Sequence, residues 1–326
     1  MNKIGVLGAG HLGKIHIKCI KESEKFDLVG FFDPNENTAK EVERTHQIRR
    51  FNSPSELIDE CDIIDIVTPT ISHYESSVLS LKRFKHVFIE KPLTTSLAEA
   101  RSLMKLAQEA KVKVQVGHVE RFNPAFIATL PFIENPMFIE THRLAQYNPR
   151  GTDVPVILDL MIHDIDIVLS VIKSPIKRIH ASGVAVISDS HDLANARIEF
   201  NNGCVANLTA SRISMKNMRK SRFFQRDSYI SIDFLTKESE IIRMKEAPAQ
   251  PGPLSMILDL GNGKLPKEII IERPEIKPIN AIKTELETFY DSIINDTEPT
   301  VTIEDGYNSL DVAYKIMEKI KQTNPE

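Results

Sequence analysis

The sequence predicts an α/β protein in which about the first 120 residues form a parallel sheet covered by helices on both faces and a β-rich half follows. Three observations carry that reading. Short β-branched runs alternate with helical stretches as far as about residue 120, a G-x-G-x-x-G joins the first run to the first helix, and beyond Ile176 closely spaced strands with turn signals take over.

The strand runs of the first third are Ile4 to Leu7, Leu28 to Phe32, Ile63 to Val67, His86 to Glu90 and Val112 to Val116. Between them the helices carry their own start signals. Ser53 caps with Pro54 in the first helical position and Glu56 closing a capping box, and Ser96 with Glu99 repeats the device. Strands that alternate with helices in this way pair in parallel, because each crossover lays its helix on a face of the sheet.

The first strand ends in Gly8-Ala9-Gly10-His11-Leu12-Gly13, which opens directly into a helix running through Ile15 and Ile20. Glycines there allow a tight turn and a close backbone approach, so a pyrophosphate can rest on free N–H groups at the positive end of the helix. Asp33 lies 20 residues beyond Gly13, at the end of the second strand, where a carboxylate accepts hydrogen bonds from an adenosine ribose. It would repel a 2′-phosphate, and the next residues, Pro34 and Asn35, bring no arginine to welcome one. NAD is therefore expected over NADP.

Two further segments fall where the third and fourth strands end, the side on which open parallel sheets bind ligands. They are Thr68-Pro69-Thr70 with His73, and Glu90-Lys91-Pro92. Lys91 at a strand exit can point into the crevice or sit on the surface of a βα turn; spacing alone leaves both open. Farther on, Asp159, His163 and Asp166 stand at i, i+4 and i+7, which on a helix is one stripe, flanked by Leu158, Met161, Ile162, Ile165 and Leu169. Histidine suits proton abstraction near neutral pH. The same letters fit a hydrogen-bonded structural histidine or a metal site of two Asp and one His.

Composition narrows the function classes. Across 326 residues, 41 Lys and Arg against 45 Asp and Glu give a net charge of −4, with no global positive field for nucleic acid. Three scattered cysteines, Cys19, Cys61 and Cys204, argue for a reducing compartment and a role as core fillers. No run approaches the ~18 apolar residues of a membrane span, and His11 and Lys14 come before any signal-peptide core could form, so a cytoplasmic protein is expected.

Several of these segments together resemble the glucose-fructose oxidoreductase, inositol dehydrogenase and MocA (Gfo/Idh/MocA) family. They are the glycine turn, Thr68-Pro69 with His73, Glu90-Lys91-Pro92, the Gly117, Arg121 and Pro124 stretch, Asp159-x-x-x-His163 and Glu304-Asp305-Gly306. The resemblance implies a Rossmann NAD-binding domain over 1–120. A substrate-binding α/β domain over 121–326 would follow, with an open, mostly antiparallel sheet that joins copies into a homodimer or homotetramer. It implies that Lys91 positions the reacting hydroxyl, that His163 is the acid/base and that Asp159 assists it. Cofactor contacts are expected from Gly8, Gly10, His11, Leu12, Gly13, Asp33, Thr68, Pro69, His73, Glu90 and Lys91, and no metal is expected. Many members carry Asn where this chain has Val119, so the resemblance does not carry a sugar contact over to this position. Gly117 to Pro124 with Asp159 to Asp166 looks most like the branch that oxidises the 3-hydroxyl of UDP-N-acetylglucosamine; an inositol or free-sugar dehydrogenase and a non-catalytic NAD sensor are the alternatives.

A nucleotide sugar needs cations for its diphosphate, and Arg143 and Arg150, with Arg121, are the expected substrate contacts. A second basic run, Lys216, Arg219, Lys220, Arg222 and Arg226, is better explained as a solvated sheet edge or subunit contact. The β-rich runs are Val184 to Ile187, Ala196 to Phe200, Val205 to Ala210 and Tyr229 to Phe234, with Asn201-Asn202-Gly203 as a hairpin turn. Ala247 to Pro253 breaks regular structure. The closing stripes, Ile282, Leu286, Phe289 and Ile293, then Val312, Ile316 and Ile320, are read as core.

Overall fold

A computed structural model describes residues 2–148 and 154–323, and the chain divides into two compact units. The first alternates strand and helix: β1 (Asn2–Leu7), α1 (His11–Lys21), β2 (Phe26–Phe32), α2 (Glu36–His46), α3 (Pro54–Glu60), β3 (Ile63–Ile66), α4 (His73–Leu81), β4 (His86–Glu90), α5 (Leu97–Ala110) and β5 (Val114–Gly117). Its sheet is parallel with order β2-β1-β3-β4-β5. The Ile63–Ile66 and Phe88–Ile89 stretches are buried without alternation, as strands covered on both faces must be. Ser53 and Ser96 accept the N–H groups of Glu56 and Glu99, so the two helix starts read from the sequence are made as capping predicts.

The second unit holds α6 (Pro124–Thr129), β6 (Phe138–Leu144), α7 (Ile162–Val171), β7 (Ile176–Val184), β8 (Leu193–Phe200), β9 (Val205–Ser211), β10 (Met218–Gln225), β11 (Ser228–Asp233), β12 (Glu238–Glu246), β13 (Met256–Leu258) and β14 (Lys267–Glu272). They form one mixed sheet in the order β13-β14-β12-β11-β10-β6-β9-β8-β7, antiparallel at every pair except β6 with β9. Strand β8 alternates buried Ala194, Ala196, Ile198 and Phe200 with outward residues, the period of a sheet covered on one face. The basic run 216–226 lies along β10, where Lys220 pairs with Asp233 and Arg222 with Glu140 across neighbouring strands.

Two expectations are corrected. Val184 to Ile187 is not a strand: β7 ends at Val184, and the next residues turn away because Asp192 gathers the N–H groups of Val186, Ile187 and Ser188 at 2.8, 2.8 and 3.1 Å. Residues 121–326 are also not one domain. Helix α8 (Ala281–Ile294) falls within Asn280–Val312, which belongs to the first unit, as does the start of α9 (Ile303–Thr323). The physical reason is the apolar stripe of α8. Leu286 and Phe289, almost wholly buried, share one core with Ile17, Ile20, Phe26 and Phe88. The three cysteines are free and buried. No helix among the described residues is long and apolar enough to cross a membrane.

Candidate active site

The glycine turn does what its letters require. Gly8 has φ +93°, and a Cβ there would lie 2.6 Å from the Val67 carbonyl oxygen. At Gly13 a Cβ would lie 2.1 Å from the Gly8 carbonyl oxygen, so only glycine lets α1 pack this closely on the end of β1. Gly10 is different: a Cβ there meets no heavy atom within 4 Å. Beyond it α1 begins with no side-chain cap and no acidic residue in its first turn, so its N–H groups and dipole are not already answered by a carboxylate of that turn. His11 and Leu12 form that turn, His11 exposed and Leu12 half-buried. Asp33, 8% exposed, accepts the Ala9 N–H and the Asn35 N–H at 2.8 Å each, which fixes the carboxylate beside the turn. Room above Gly10, an uncapped helix start and an adjacent carboxylate fit a dinucleotide's pyrophosphate and ribose.

Thr68 and exposed Pro69 follow β3, and half-buried Lys91 follows β4. His73 ties these two exits together. Its Nδ1 is 2.9 Å from the Pro92 carbonyl and its Nε2 is 2.9 Å from the Thr68 carbonyl. Burial holds the ring below its ordinary pKa against the pull of those carbonyls, so a neutral ring donates to only one of them. With 1% exposure this histidine is a staple under the two loops. Glu90 also faces inward. Its carboxylate, 7% exposed, turns into the core toward His16 and accepts the Lys91 N–H at 3.1 Å. Arg121, also expected to meet substrate, is held inside the first unit, 3.3 Å from Asp305 and 3.4 Å from the Thr300 carbonyl.

In the second unit the expected helical stripe is partly unwound. Residues Ile157–Met161 form a π-helical turn that runs into α7, so Asp159 and His163 do not repeat at the α period. Both are half-buried, whereas Asp166 is fully buried. Asp159 borders a cleft of about 530 Å³ together with Gln146, Tyr147, Asn148, Arg212 and Asn217. Arg143 is not on it. Its guanidinium is 3% exposed and grips both oxygens of Asp164, at 3.1 and 2.9 Å. Arg150 lies outside the described residues, as does Gly151-Thr152-Asp153. The arginine that does border the cleft, Arg212, was missed by sequence reasoning. It donates to the carbonyls of Val154 and His191 and stands 3.7 Å from Asp192. Nothing in its local pattern sets it apart from any other strand-end arginine.

A parallel five-stranded sheet with this turn and this acid defines a dinucleotide-binding oxidoreductase half, joined to a mixed-sheet second unit. Family models agree: residues 2–118 match the oxidoreductase family with an NAD-binding Rossmann fold, and residues 139–225 match the GFO/IDH/MocA C-terminal domain. The chain belongs to the Gfo/Idh/MocA family of oxidoreductases. It is 37% identical over 79% of its length, and 83% of the relative's, to a UDP-N-acetylglucosamine 3-dehydrogenase of Acidithiobacillus ferrooxidans. The solved structure of a UDP-N-acetylglucosamine 3-dehydrogenase from that organism superposes with a TM-score of 0.87 at 31% identity, covering 98% of each chain. A scyllo-inositol 2-dehydrogenase (NAD(+)) of Bacillus subtilis is 29% identical over 65% of this chain and 68% of its own.

Proposed function

We propose that this dehydrogenase oxidises a secondary hydroxyl of a nucleotide sugar, the 3-hydroxyl of UDP-N-acetylglucosamine in the first instance, using NAD. The observation that carries the reading is the 37% identity to an enzyme of that name over four fifths of the chain. Asp33 supports NAD over NADP, since a buried carboxylate already tied to two backbone N–H groups cannot move away from a 2′-phosphate. When bound, the nicotinamide supplies the acceptor for the hydride. On this reading Lys91 donates a hydrogen bond to the reacting oxygen and holds it. His163 takes the hydroxyl proton as the carbon loses its hydride and the C–O bond becomes C=O, and Asp159 orients the imidazole. The second unit contributes the cleft beside Asp159, whose amides and hydroxyl suit a polar sugar. Association of copies through the nine-stranded sheet belongs to the same reading.

Purified protein given NAD and UDP-N-acetylglucosamine is expected to produce NADH, whereas Lys91→Ala and His163→Ala lose at least about a hundredfold in kcat with NAD affinity unchanged. Turnover of scyllo-inositol in place of the nucleotide sugar moves the substrate to the inositol relative's class. Variants as active as the parent overturn the roles given to Lys91 and His163.

A further inference from the structure

The roles above leave unused a knot of charge inside the first unit. His16 on α1, Asp65 on β3 and Glu285 on α8 have no exposed surface, and Glu90 closes the group from the end of β4. His16 Nδ1 lies 3.0 Å from Asp65 Oδ2, and its Nε2 lies 3.2 Å from Glu90 Oε1, an ion-pair distance without hydrogen-bond alignment. One ring nitrogen of His16 and one carboxylate oxygen each of Glu90 and Glu285 lie within 4.8 Å of one another. Among the described residues no donor reaches either Glu285 oxygen.

Three ionised carboxylates around a neutral ring would put three negative charges in the core, and each buried ion costs several kcal/mol unless answered. Two protons cut this to a single net negative charge. On His16 burial disfavours the charge, but Asp65 and Glu90 outweigh it and hold the ring well above its ordinary pKa. At Glu285 burial raises the pKa well above the carboxylate range, the charges of Glu90, Asp65 and Glu120 push the same way, and only His16 opposes them. Asp65 is itself raised by burial, with His16 pulling it down. Cys19 faces the ring from the same helix, its thiol raised by burial, and Phe88 meets the ring edge-on at 5.8 Å.

The outer end of the knot is Lys91. Glu90 Oε2 accepts the Lys91 N–H, while Glu90 Oε1 lies 2.8 Å from where a Cβ of Gly117 would sit, so the carboxylate occupies space that only glycine leaves open. We propose that His16 and Glu285 are positioning residues for Lys91. The buried His16–Glu90 pair holds the carboxylate that fixes the Lys91 N–H, and Glu285, carrying the second proton, lets the pair stay charged in the core. Its kinetic consequence rests on the role given to Lys91 above. Its structural content does not.

The test uses His16→Asn, Glu285→Gln and Glu285→Ala. In His16→Asn, amide exchange at Lys91 is expected to speed up about tenfold or more while Phe88 and Ile89 keep their protection. Sugar oxidation should lose about ten- to a hundredfold in kcat with NAD affinity unchanged. Glu285→Gln, neutral and the same shape, should keep the parent's Lys91 exchange and kcat, whereas Glu285→Ala should not. In the parent, imidazole nitrogen NMR should show His16 still doubly protonated above the ~6.5 at which a free ring loses its proton. That measurement and Glu285→Gln stand even if His16→Asn fails to fold. Overturning results are His16 titrating near its ordinary value, unchanged Lys91 exchange in His16→Asn, or Glu285→Gln as damaged as Glu285→Ala. So is a stoichiometric divalent metal whose removal by a chelator reproduces the loss. A parent that oxidises no sugar defeats the functional reading alone, because exchange and NMR still decide this one.

Discussion

Two glycines of one turn, Gly10 and Gly13, should fail in opposite ways when each gains a methyl group, and the difference tests where a cofactor lies. At Gly13 the new Cβ would sit 2.1 Å from the Gly8 carbonyl oxygen, against the 3.4 Å at which ordinary contact begins. That oxygen is backbone and cannot swing aside, so β1 and α1 must part by about an ångström. Gly13→Ala is expected to cost about 1–3 kcal/mol in urea unfolding, the range for overpacked sites. Gly10 has φ −63°, which alanine adopts freely, and its Cβ meets nothing within 4 Å. Gly10→Ala should therefore unfold within about 1 kcal/mol of the parent, the loss expected for alanine at a helix cap. Its methyl group would nevertheless stand where a pyrophosphate must approach. NADH titration by fluorescence should show at least about a hundredfold weaker binding, or 2.7 kcal/mol. A Gly10→Ala protein that binds NADH as tightly as its parent would show that the start of α1 does not carry the pyrophosphate.

Two further expectations concern the second unit. Asp164→Asn removes the carboxylate that the buried Arg143 guanidinium grips and is expected to cost about 3–5 kcal/mol in denaturant unfolding; a loss under about 1 kcal/mol would refute that weight for the pair. Asp192 is held below the usual carboxylate range. Burial works against its charge, but the N–H groups of Ile187, Val186 and Ser188 and the Ser188 hydroxyl outweigh it. A depressed carboxylate takes up a proton on unfolding, so its stabilisation is complete above about pH 4 and is lost as pH falls toward its folded value. Asp192→Asn should flatten the acid limb of the stability curve between about pH 4 and 2 by up to one proton, and an unchanged limb would refute the assignment.

Much of the fold was legible because its signals are local. The βα alternation, the serine caps and the glycine turn each occupy a few adjacent residues, and all appear where their physics requires. The errors arise where a distant residue decides. Val184 to Ile187 reads as a strand by composition, yet Val186 and Ile187 are 59% and 55% exposed because Asp192 bends the chain away. The stripe of α8 announced a buried helix but carries no address, since Leu286 and Phe289 would satisfy any apolar surface. Only the assembled core shows that they belong with Ile17 and Phe88.

The candidate site divides on the same line. The placement of Gly8, Gly10, Gly13 and Asp33 around one turn could be read from spacing because the turn and the strand end that present them are contiguous in sequence. The pairing of Arg143 could not be read in the same way, as its partner Asp164 lies 21 residues on and on another element. His16 was harder still. It follows Gly13 by one turn on a helix whose buried face includes Ile17, Cys19 and Ile20, where a lone histidine passes for one more core residue. Its partners stand at 65, 90 and 285. Parallel pairing supplies the reason they meet: Asp65 is in register with Val6 on one side and Phe88 on the other, so acids on β3 and at the end of β4 arrive near the same face of α1. A buried charge needs answering charges, and in this topology the helices covering the sheet are where they come from. Glu285 arrives on α8, which reaches this core from beyond the second unit's sheet in sequence. If the helix returned merely to cover apolar surface, a leucine at 285 would serve as well; the Glu285→Gln and Glu285→Ala pair separates covering a face from holding a proton.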